Sequence, residues 1–426
     1  MNIPEGYKQT EVGTIPDDWK IKRLKSVIQL KNGFAFKSDY FSENGSIILT
    51  PGNFKLEGGL YFNEKNTKRY SGNFPSEFKF NYGDLVIVMT DLTKECNLLG
   101  KPAFVNHPEE ILHNQRIGKV EILNNEVCKK FLFYFFLSNK YHLKIKETAT
   151  GSTVRHTSPT SIYEISIPLP PTISEQKAIT QSLSDVDALI TECDLLITKK
   201  LNTKQGTMQQ LLTGEKRLPG FSGEWKVEKL RDLTTLMTNG FVGKATTHYT
   251  KSNDGVLYIQ GFNVIENSFN FTGIKRVTLD FHLCNSKSCL KVGDLLTIQT
   301  GDIGVTTIVP KELEGSNCHA LIITRFKKEK VSPQFFCQYF NSIYGRAKFK
   351  NIEIGTTMKH LNVGDFIELQ LLIPPTKEEQ KEIAQILSNM DTEIAALEQK
   401  RDKYKAIKQG MMQELLTGKT RLIGSY

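Results

Sequence analysis

Two short acid–lysine motifs are the features of this sequence closest to a catalytic set. Residues 18–20 (Asp-Trp-Lys) and 224–226 (Glu-Trp-Lys) each place a carboxylate two positions before a lysine, as metal-dependent nucleases do. Such a nuclease also needs an aspartate that faces this pair from a neighbouring strand to help hold the metal. The motifs contain Trp19 and Trp225, the only two tryptophans, and they begin two long segments. We therefore expect the tryptophans to anchor domains, with a nuclease as the weaker alternative.

No other enzyme signature is complete in the sequence. The Pro-Pro pairs at 170–171 and 374–375 follow an aliphatic residue and precede threonine, whereas DNA methyltransferases place an amide or acid before two prolines and an aromatic residue after them. There is no GxxxxGK[ST] loop, which argues against nucleotide hydrolysis. His156 and His360 occupy matching positions, but no cysteine, serine or carboxylate pattern completes a triad. We predict a protein that is not an enzyme and has no metal site or cofactor of its own.

Basic side chains in two long segments suit a different role, the binding of DNA. Lysine and arginine would contact phosphates and position the protein, whereas contacts to base edges would provide sequence specificity. Arg155 and Lys359 rank first because they are basic residues at matched positions in two similar glycine-rich turns. An ordinary solvated charge is the alternative for each candidate. The predicted DNA-binding residues are Lys31, Lys37, Lys68, Arg69, Arg116, Ser152, Thr153 and Arg155 in the first segment, and Lys244, Lys275, Arg276, Thr356, Thr357 and Lys359 in the second.

The sequence also contains a long internal repeat. When it is shifted by 204 positions, residues 170–218 align without a gap on residues 374–422, and 24 of the 49 pairs are identical. A repeat of this length is one structural unit built twice, which predicts pseudo-two-fold symmetry. Duplex DNA is a common partner of two-fold symmetric proteins.

Each repeat is predicted to form one long helix. Thr172 and Glu175 have the spacing of a capping box, in which the hydroxyl accepts a backbone N–H and the glutamate reaches back, and the second copy repeats this spacing. Each copy ends at a glycine, Gly214 or Gly418, that suits the left-handed position after a helix. The roughly 40 residues between these signals would span about 60 Å of helix.

The apolar residues of both repeats alternate by three and four, which is typical of a coiled coil. Such a helix needs a partner, and the other copy is the simplest one. We therefore predict an antiparallel pair. The predicted coiled-coil interface consists of Ile179, Leu183, Val186, Ile190 and Ile197 in the first copy and of Ile383, Leu387, Met390, Ile394 and Leu397 in the second. Gly206 and Gly410 lie inside the helices at the same position, which indicates close helix approach or docking of another element, with a tolerated kink as the alternative.

The two long segments between the repeats are predicted to be similar α+β domains. Short β-patterned runs and a few short helices alternate with turns, and Asn-Gly-Phe at residues 32–34 recurs at residues 239–241. The loops differ in length, so the two domains would bind different targets of one class. The predicted domains are a first target-recognition domain (1–169), a first spacer helix (170–218), a second target-recognition domain (219–373) and a second spacer helix (374–426).

Composition limits the remaining possibilities. The net charge is +9, with +4 in each long segment and almost none in the repeats, which fits a nucleic-acid partner. No apolar run approaches the roughly 18 residues of a membrane helix, and the N-terminus lacks a signal peptide pattern. The seven cysteines show no CxxC spacing. We expect a cytoplasmic protein without a membrane partner.

Together, these motifs resemble the specificity subunits of type I restriction-modification systems. The paired Pro-Pro-Thr-x-x-Glu-Gln-Lys helix starts and Leu-Leu-Thr-Gly helix ends carry the resemblance, which extends over nearly the whole chain. It implies two domains that each recognise one half of an interrupted DNA sequence, and a helix pair that sets the gap. It also implies two methyltransferase subunits, which methylate adenine N6, and restriction subunits as partners. S-adenosylmethionine, ATP and Mg would then be bound by those partners.

One feature departs from the family pattern, and one other class of function stays open. The later half of the heptad seam is polar at residues 200–207 and 401–408, which leaves open whether the helices pair there or present a docking surface. The alternative function is a coiled-coil scaffold whose globular domains bind protein and not DNA.

Overall fold

A computed structural model of the chain describes residues 3–355 and 359–422. These residues form two compact units, one of residues 3–193 with 400–422 and the other of residues 194–399. Each unit contains one globular segment and part of each of two long helices. The predicted α+β class is confirmed, whereas the four domain boundaries and the pseudo-two-fold relation stay predictions.

The long helices are α4 and α10, and the others are short. The helices are α1 (Lys129–Leu137), α2 (Asn139–Glu147), α3 (Pro159–Tyr163), α4 (Ile173–Leu212), α5 (Leu230–Leu233), α6 (Leu279–Cys284), α7 (Pro333–Asn341), α8 (Ile343–Ile352), α9 (Val363–Ile367) and α10 (Lys377–Leu415). No described helix is both long enough and apolar enough to cross a membrane.

The first unit contains two four-stranded sheets. Its strands are β1 (Tyr7–Thr10), β2 (Gly13–Pro16), β3 (Lys20–Arg23), β4 (Ile28–Asn32), β5 (Phe41–Ser42), β6 (Ser46–Leu49), β7 (Lys68–Tyr70), β8 (Asp84–Val88), β9 (Thr90–Asp91), β10 (Pro102–Val105), β11 (Ile111–His113), β12 (Ile117–Ile122), β13 (Arg155–His156) and β14 (Ser166–Leu169). The sheet β10-β8-β12-β4 is antiparallel, and the sheet β11-β6-β7-β5 has one parallel pair, β11 with β6. Leu85 and Ile87 of β8 pack into the core that contains α1, whereas Val86 and Val88 pack into the core of the second sheet.

The second unit repeats this arrangement with one strand fewer in its second sheet. Its strands are β15 (Lys226–Lys229), β16 (Thr234–Asn239), β17 (Val256–Ile259), β18 (Val264–Ile265), β19 (Ser268–Phe269), β20 (Lys275–Val277), β21 (Leu295–Ile298), β22 (Thr306–Ile308), β23 (Asn317–Cys318), β24 (Leu321–Phe326), β25 (Glu353–Ile354), β26 (His360–Leu361) and β27 (Gln370–Ile373). The sheet β16-β24-β21-β22 is antiparallel, and the sheet β20-β17-β23 has one parallel pair, β17 with β23.

In each unit the strand that enters the globular segment pairs with the strand that leaves it. β3 pairs antiparallel with β14, and β15 pairs antiparallel with β27. β14 ends at Leu169 and β27 ends at Ile373, each directly before a Pro-Pro pair. The globular segment is therefore closed at the point where the long helix begins.

Cross-helix ion pairs establish that α4 and α10 run antiparallel within each unit. In the second unit Lys200 pairs with Glu393 at 2.6 Å, and Lys204, one turn later, pairs with Asp391. A higher number on α4 therefore matches a lower number on α10. The first unit has the same direction, through the pairs Asp187 with Lys408 and Glu175 with Arg421.

The predicted interface residues lie on the packed faces of these helices. Three of them are half-buried, namely Ile190, Met390 and Leu397. The other seven are buried, namely Ile179, Leu183, Val186, Ile197, Ile383, Leu387 and Ile394.

A bidentate arginine–glutamate pair joins the start of each long helix to the end of the other. In the second unit Arg217 follows the end of α4 and donates from Nε and Nη2 to the two carboxylate oxygens of Glu379, at 2.6 and 2.7 Å. The side chain of Glu379, in the first turn of α10, is 1% exposed. In the first unit Arg421 binds Glu175 in the same way and also binds Asp18, at 2.9 and 3.1 Å. We call these pairs the terminal clamps.

The capping-box prediction is half correct. The hydroxyl of Thr172 accepts the backbone N–H of Glu175 at 3.1 Å, and Thr376 accepts that of Glu379 at 3.3 Å. The two carboxylates bind the clamp arginines and not the threonine backbone. At each helix start the threonine therefore caps its own helix, and the glutamate holds the end of the other helix.

The glutamine after each clamp glutamate fastens an aromatic helix to the long helix. The Gln176 side chain accepts the N–H of Cys128, directly before α1, at 3.0 Å. The Gln380 side chain accepts the N–H of Ser332, directly before α7, at 2.9 Å. The Glu-Gln pair recurs in both repeats because its glutamate binds the clamp arginine and its glutamine binds the backbone before an aromatic helix.

The glycines at the helix ends and those inside the helices have different environments. Gly214 and Gly418 adopt positive φ angles of 75° and 69°, as predicted for the end of a helix. A Cβ atom on Gly418 would lie 3.0 Å from the ring of Trp19. By contrast, apart from the neighbouring backbone of its own helix, no described atom lies within 4 Å of a Cβ on Gly206 or Gly410. The close helix approach expected at these two residues is therefore absent within the described chain.

Two lysines in the polar half of the seam pair the long helices, which is one of the two alternatives that the sequence left open. The side chains of Lys204 and Lys408 are only 15% and 13% exposed. Each lysine pairs with an aspartate of the opposite long helix, Asp391 or Asp187. The seam thus continues with ion pairs where its apolar residues end.

We expect Arg217→Met to lose about 3 to 5 kcal/mol of free energy of unfolding, because the carboxylate of Glu379 would stay buried without its partner. Urea unfolding followed by tryptophan fluorescence measures this loss. The control is Lys144→Met, which removes the exposed Lys144–Glu147 pair and should change stability by less than about 1 kcal/mol. Equal small losses in both variants would contradict a structural role for the clamp.

Candidate nucleic-acid interface

Each globular segment has an Asn-Gly-Phe turn at which two stretches of backbone meet closely. In the first unit the N–H of Phe34 donates to the segment that contains Asn114. A Cβ atom on Gly33 would lie 2.3 Å from the Asn114 backbone. In the second unit a Cβ atom on Gly240 would lie 2.5 Å from Sγ of Cys318. Both turns therefore require glycine, and both are held rigidly against a neighbouring strand.

A lysine follows each of these turns at the same distance. Lys37 comes three residues after Phe34, and Lys244 comes three residues after Phe241. Both side chains are exposed, and neither has a hydrogen-bond or ion-pair partner within the described chain. The spacing Asn-Gly-Phe-x-x-Lys thus places one uncommitted positive charge beside each rigid turn, where it is available to a phosphate.

In each unit one strand carries the sequence Lys-Arg, and its two basic residues have different contacts. Arg69 on β7 binds Glu109 at 2.7 Å, and this hydrogen bond holds the pKa of Glu109 below its usual range. Arg276 on β20 donates to a backbone carbonyl of its own unit at 2.5 Å. The neighbouring lysines are exposed, with Lys68 lying 5.8 Å over an aromatic ring and Lys275 unpaired among the described residues. The arginines brace the strand, and the lysines face solvent.

Of the other predicted DNA-binding residues, some have a partner in the structure and some are exposed without one among the described residues. Lys31 on β4 is committed to Glu121 at 2.8 Å. Arg116 is exposed, and its guanidinium has no partner within the described residues. The exposed hydroxyl candidates are Ser152 and Thr153, whereas Thr356 and Thr357 lie outside the described residues.

The two top-ranked candidates, Arg155 and Lys359, each contact their own turn. Arg155 donates from Nη1 to the carbonyl of Gly151 at 2.6 Å and from Nε to the sulfur of Cys96 at 3.3 Å. Lys359 pairs with Glu353 at 3.2 Å. Each side chain would have to give up or share these contacts to bind a phosphate, so their DNA role stays a prediction.

An open cleft of about 870 Å³ lies beside Lys359 in the second unit. Its charged lining consists of Glu266, Asp302, Arg346, Glu353 and Lys359. Arg346 binds Glu266 at 2.8 Å, so both bases of the cleft are already paired with acids. With more acids than bases, the cleft is poorly suited to a phosphate.

One acid of the nuclease alternative, Asp18, has a structural role. The carboxylate of Asp18 is bound by Arg421 in the terminal clamp. No group of three His, Cys, Asp or Glu side chains in the described chain is arranged to hold a metal ion. Trp19 is fully buried in the core of the first unit, and Trp225 packs against the core of the second. The expected anchoring role of the tryptophans is therefore what the structure supports.

Lys37 and Lys244 are among the DNA-binding residues predicted from the sequence, below Arg155 and Lys359 in rank, and the DNA contacts of all four stay predictions. A usable signal was present, because Asn-Gly-Phe-x-x-Lys occurs once in each long segment. No local signal revealed that Arg155 is held by Cys96, because these residues lie 59 positions apart.

Comparison with known proteins gives a consistent result. The family model described as the type I restriction modification DNA specificity domain matches residues 16–202 and 222–407. The MjaVIII specificity subunit of a type I restriction enzyme from Methanocaldococcus jannaschii is 23% identical over 433 residues, covering 98% of this chain and 96% of the relative. The EcoBI specificity subunit of Escherichia coli is 22% identical and covers 87% and 78%. The crystal structure of a type I S subunit from M. genitalium shares the fold, with a TM-score of 0.60 at 14% identity over 97% and 98% of the two chains.

Proposed function

The chain belongs to the family of the type I restriction modification DNA specificity domain, and we propose that it is the specificity subunit that selects the DNA target of a type I restriction-modification complex. Each globular domain recognises one half of an interrupted double-stranded target, and the helix pair sets the unread gap. Two family matches in one chain support two recognition domains. The similarity to named specificity subunits favours this function over a protein-binding scaffold.

The observation that carries the proposal is the matched pair of free lysines. Lys37 and Lys244 follow matching turns in the two globular segments, and in each turn only glycine leaves room for the neighbouring strand. A phosphate contact at such a place fixes how a domain sits on the duplex but carries no sequence information itself. The less similar surrounding loops would then contact the base edges.

The helix pair supplies surfaces for the methyltransferase subunits. In the second unit Leu195 and Leu201 of α4 are 67% and 48% exposed. In the first unit Leu189 and Ile407 are 39% and 41% exposed. The open surface at Gly206 would let a partner helix approach closely. Exposed apolar side chains on a helix that already has a partner favour a further binding partner.

The chemistry is assigned to the partner subunits. In this scheme the methyltransferase subunits bind S-adenosylmethionine, and the restriction subunits use ATP and Mg. This chain contributes target selection and assembly, without catalytic residues of its own.

We expect the double variant Lys37→Ala with Lys244→Ala to bind target duplex at least about tenfold more weakly and to reduce the salt slope by about two, because each lost phosphate contact removes roughly one unit of slope. Fluorescence anisotropy at several salt concentrations measures both quantities. Lys199→Ala with Lys403→Ala is the matched control, since these exposed helix lysines also occupy repeated positions. Arg155→Ala and Lys359→Ala test the ranking made from sequence.

An unchanged salt slope in the Lys37 and Lys244 variant would remove these lysines from the interface. A larger loss in the Arg155 and Lys359 variants would restore the original ranking.

We expect Leu195→Asp with Leu201→Asp to abolish co-purification of the methyltransferase subunit while leaving DNA binding and its salt slope unchanged. A charge on an exposed apolar contact is costly only where a partner covers it. Leu123→Asp, at a leucine of the first globular domain that is 53% exposed, is the control. Normal co-purification of the double variant would contradict docking on this face.

A further inference from the structure

One aspartate in each unit joins both long helices to the globular domain. In the second unit Asp391 of α10 accepts hydrogen bonds from three elements. Lys204 donates from α4, Gln338 donates from α7 at 3.0 Å, and Asn267 donates from the turn between β18 and β19 at 3.3 Å. Two of these donors belong to the globular domain, so the contact reaches beyond the helix pair.

The hydrogen bonds continue from this turn into the sheet of the second unit. Asn267 has a left-handed φ of 57°, and its side-chain oxygen accepts from Asn341 at 2.7 Å. Asn341 also exchanges two hydrogen bonds with the backbone of Thr306 on β22, at 2.7 and 2.9 Å. Asp391 is therefore connected by directional bonds to an edge strand of the main sheet.

The first unit has the same junction with one changed partner. Asp187 pairs with Lys408 at 2.6 Å and accepts the hydroxyl of Tyr134 at 2.8 Å. The ammonium of Lys408 lies 5.6 Å from the centre of the Tyr134 ring. Tyr134 stands 204 positions before Gln338, the same offset that relates the two aspartates and the two lysines. The aspartate and lysine are identical in both repeats, whereas the donor from the aromatic helix differs.

Stability alone does not account for these pairs. A mostly buried ion pair adds little net stability, and well-packed apolar residues of similar size often do as well or better. The lysines occupy seam positions at which a coiled coil accommodates apolar residues. An apolar contact, however, tolerates sliding and rotation, whereas a carboxylate with two or three directional donors accepts one arrangement.

We propose that Asp187 and Asp391 are positioning residues that fix the angle of each globular domain on the helix pair and thereby make the protein selective for one gap length. This inference rests on the proposed DNA function. Adding one base pair to the gap moves a half-site by about 3.4 Å along the duplex. A domain held by directional bonds cannot follow that displacement, but a domain held by apolar packing can.

The test is the double variant Lys204→Met with Asp391→Leu, assembled with its methyltransferase subunits. The probes are duplexes that carry both half-sites, identified by mapping methylated adenines in the source cell, with the native gap or a gap changed by one base pair. We expect the ratio of affinities for native and altered gaps to fall by about threefold or more. Thermal unfolding should stay close to that of the unmodified protein.

Two further variants keep the result interpretable. Lys200→Met with Glu393→Leu removes an exposed pair between the same helices that bonds no globular residue within the described chain, and it should leave gap selectivity unchanged. Tyr134→Phe removes one hydroxyl at the other junction and should lower gap selectivity in the same direction. Gap selectivity can be measured in Tyr134→Phe even if the double variant fails to fold.

Unchanged gap selectivity in Tyr134→Phe and in a folded double variant would overturn the proposal. An equal loss in the Lys200 and Glu393 control would also overturn it, because the effect would then belong to any cross-helix pair. If the unmodified complex does not distinguish the half-site sequence from unrelated DNA, the proposed function itself has failed.

Discussion

A buried glutamate at the start of each long helix, held by an arginine from beyond the end of the other helix, is the interaction on which the rest of the structure depends. Glu379 is nearly inaccessible to solvent, so Arg217 must reach it from one direction. That requirement sets the antiparallel direction and the register of α4 and α10. It also places the end of α4 near β27 and the end of α10 near β14, because these strands end directly before the helix starts that the arginines bind.

Several residues that hold the two long helices together lie in the repeat and are the same in both copies. Residues that differ between the two globular domains lie outside it. The clamp residues, the junction aspartates and the seam lysines are identical in both copies. Outside the repeat, a turn against the aromatic helix contains Gly58 in the first unit and Asn267 in the second, and both have positive φ angles. Gly58 packs near apolar side chains of α1, whereas Asn267 is hydrogen-bonded. One frame thus supports two different local chemistries, as a protein with two different half-sites requires.

Sequence patterns predicted the elements well and the long-range contacts poorly. The two helices followed from the repeat and its heptads, and the α+β class followed from the short β-patterned runs between turns. The clamp was not predicted, because Arg217 follows Gly214 in a loop and its partner lies 162 positions away. For the same reason the sequence left the pairing of the seam lysines open. A lysine at a heptad position is informative only when the aspartate that faces it is known.

The central claim is that this chain selects an interrupted DNA target for its methyltransferase partners. Long-read mapping of N6-methyladenine in cells that make the active methyltransferase, with and without this gene, tests it most directly. We expect deletion to remove methylation from a single motif with two defined halves and an unread gap. Unchanged methylation, with the methyltransferase present and active, would contradict it.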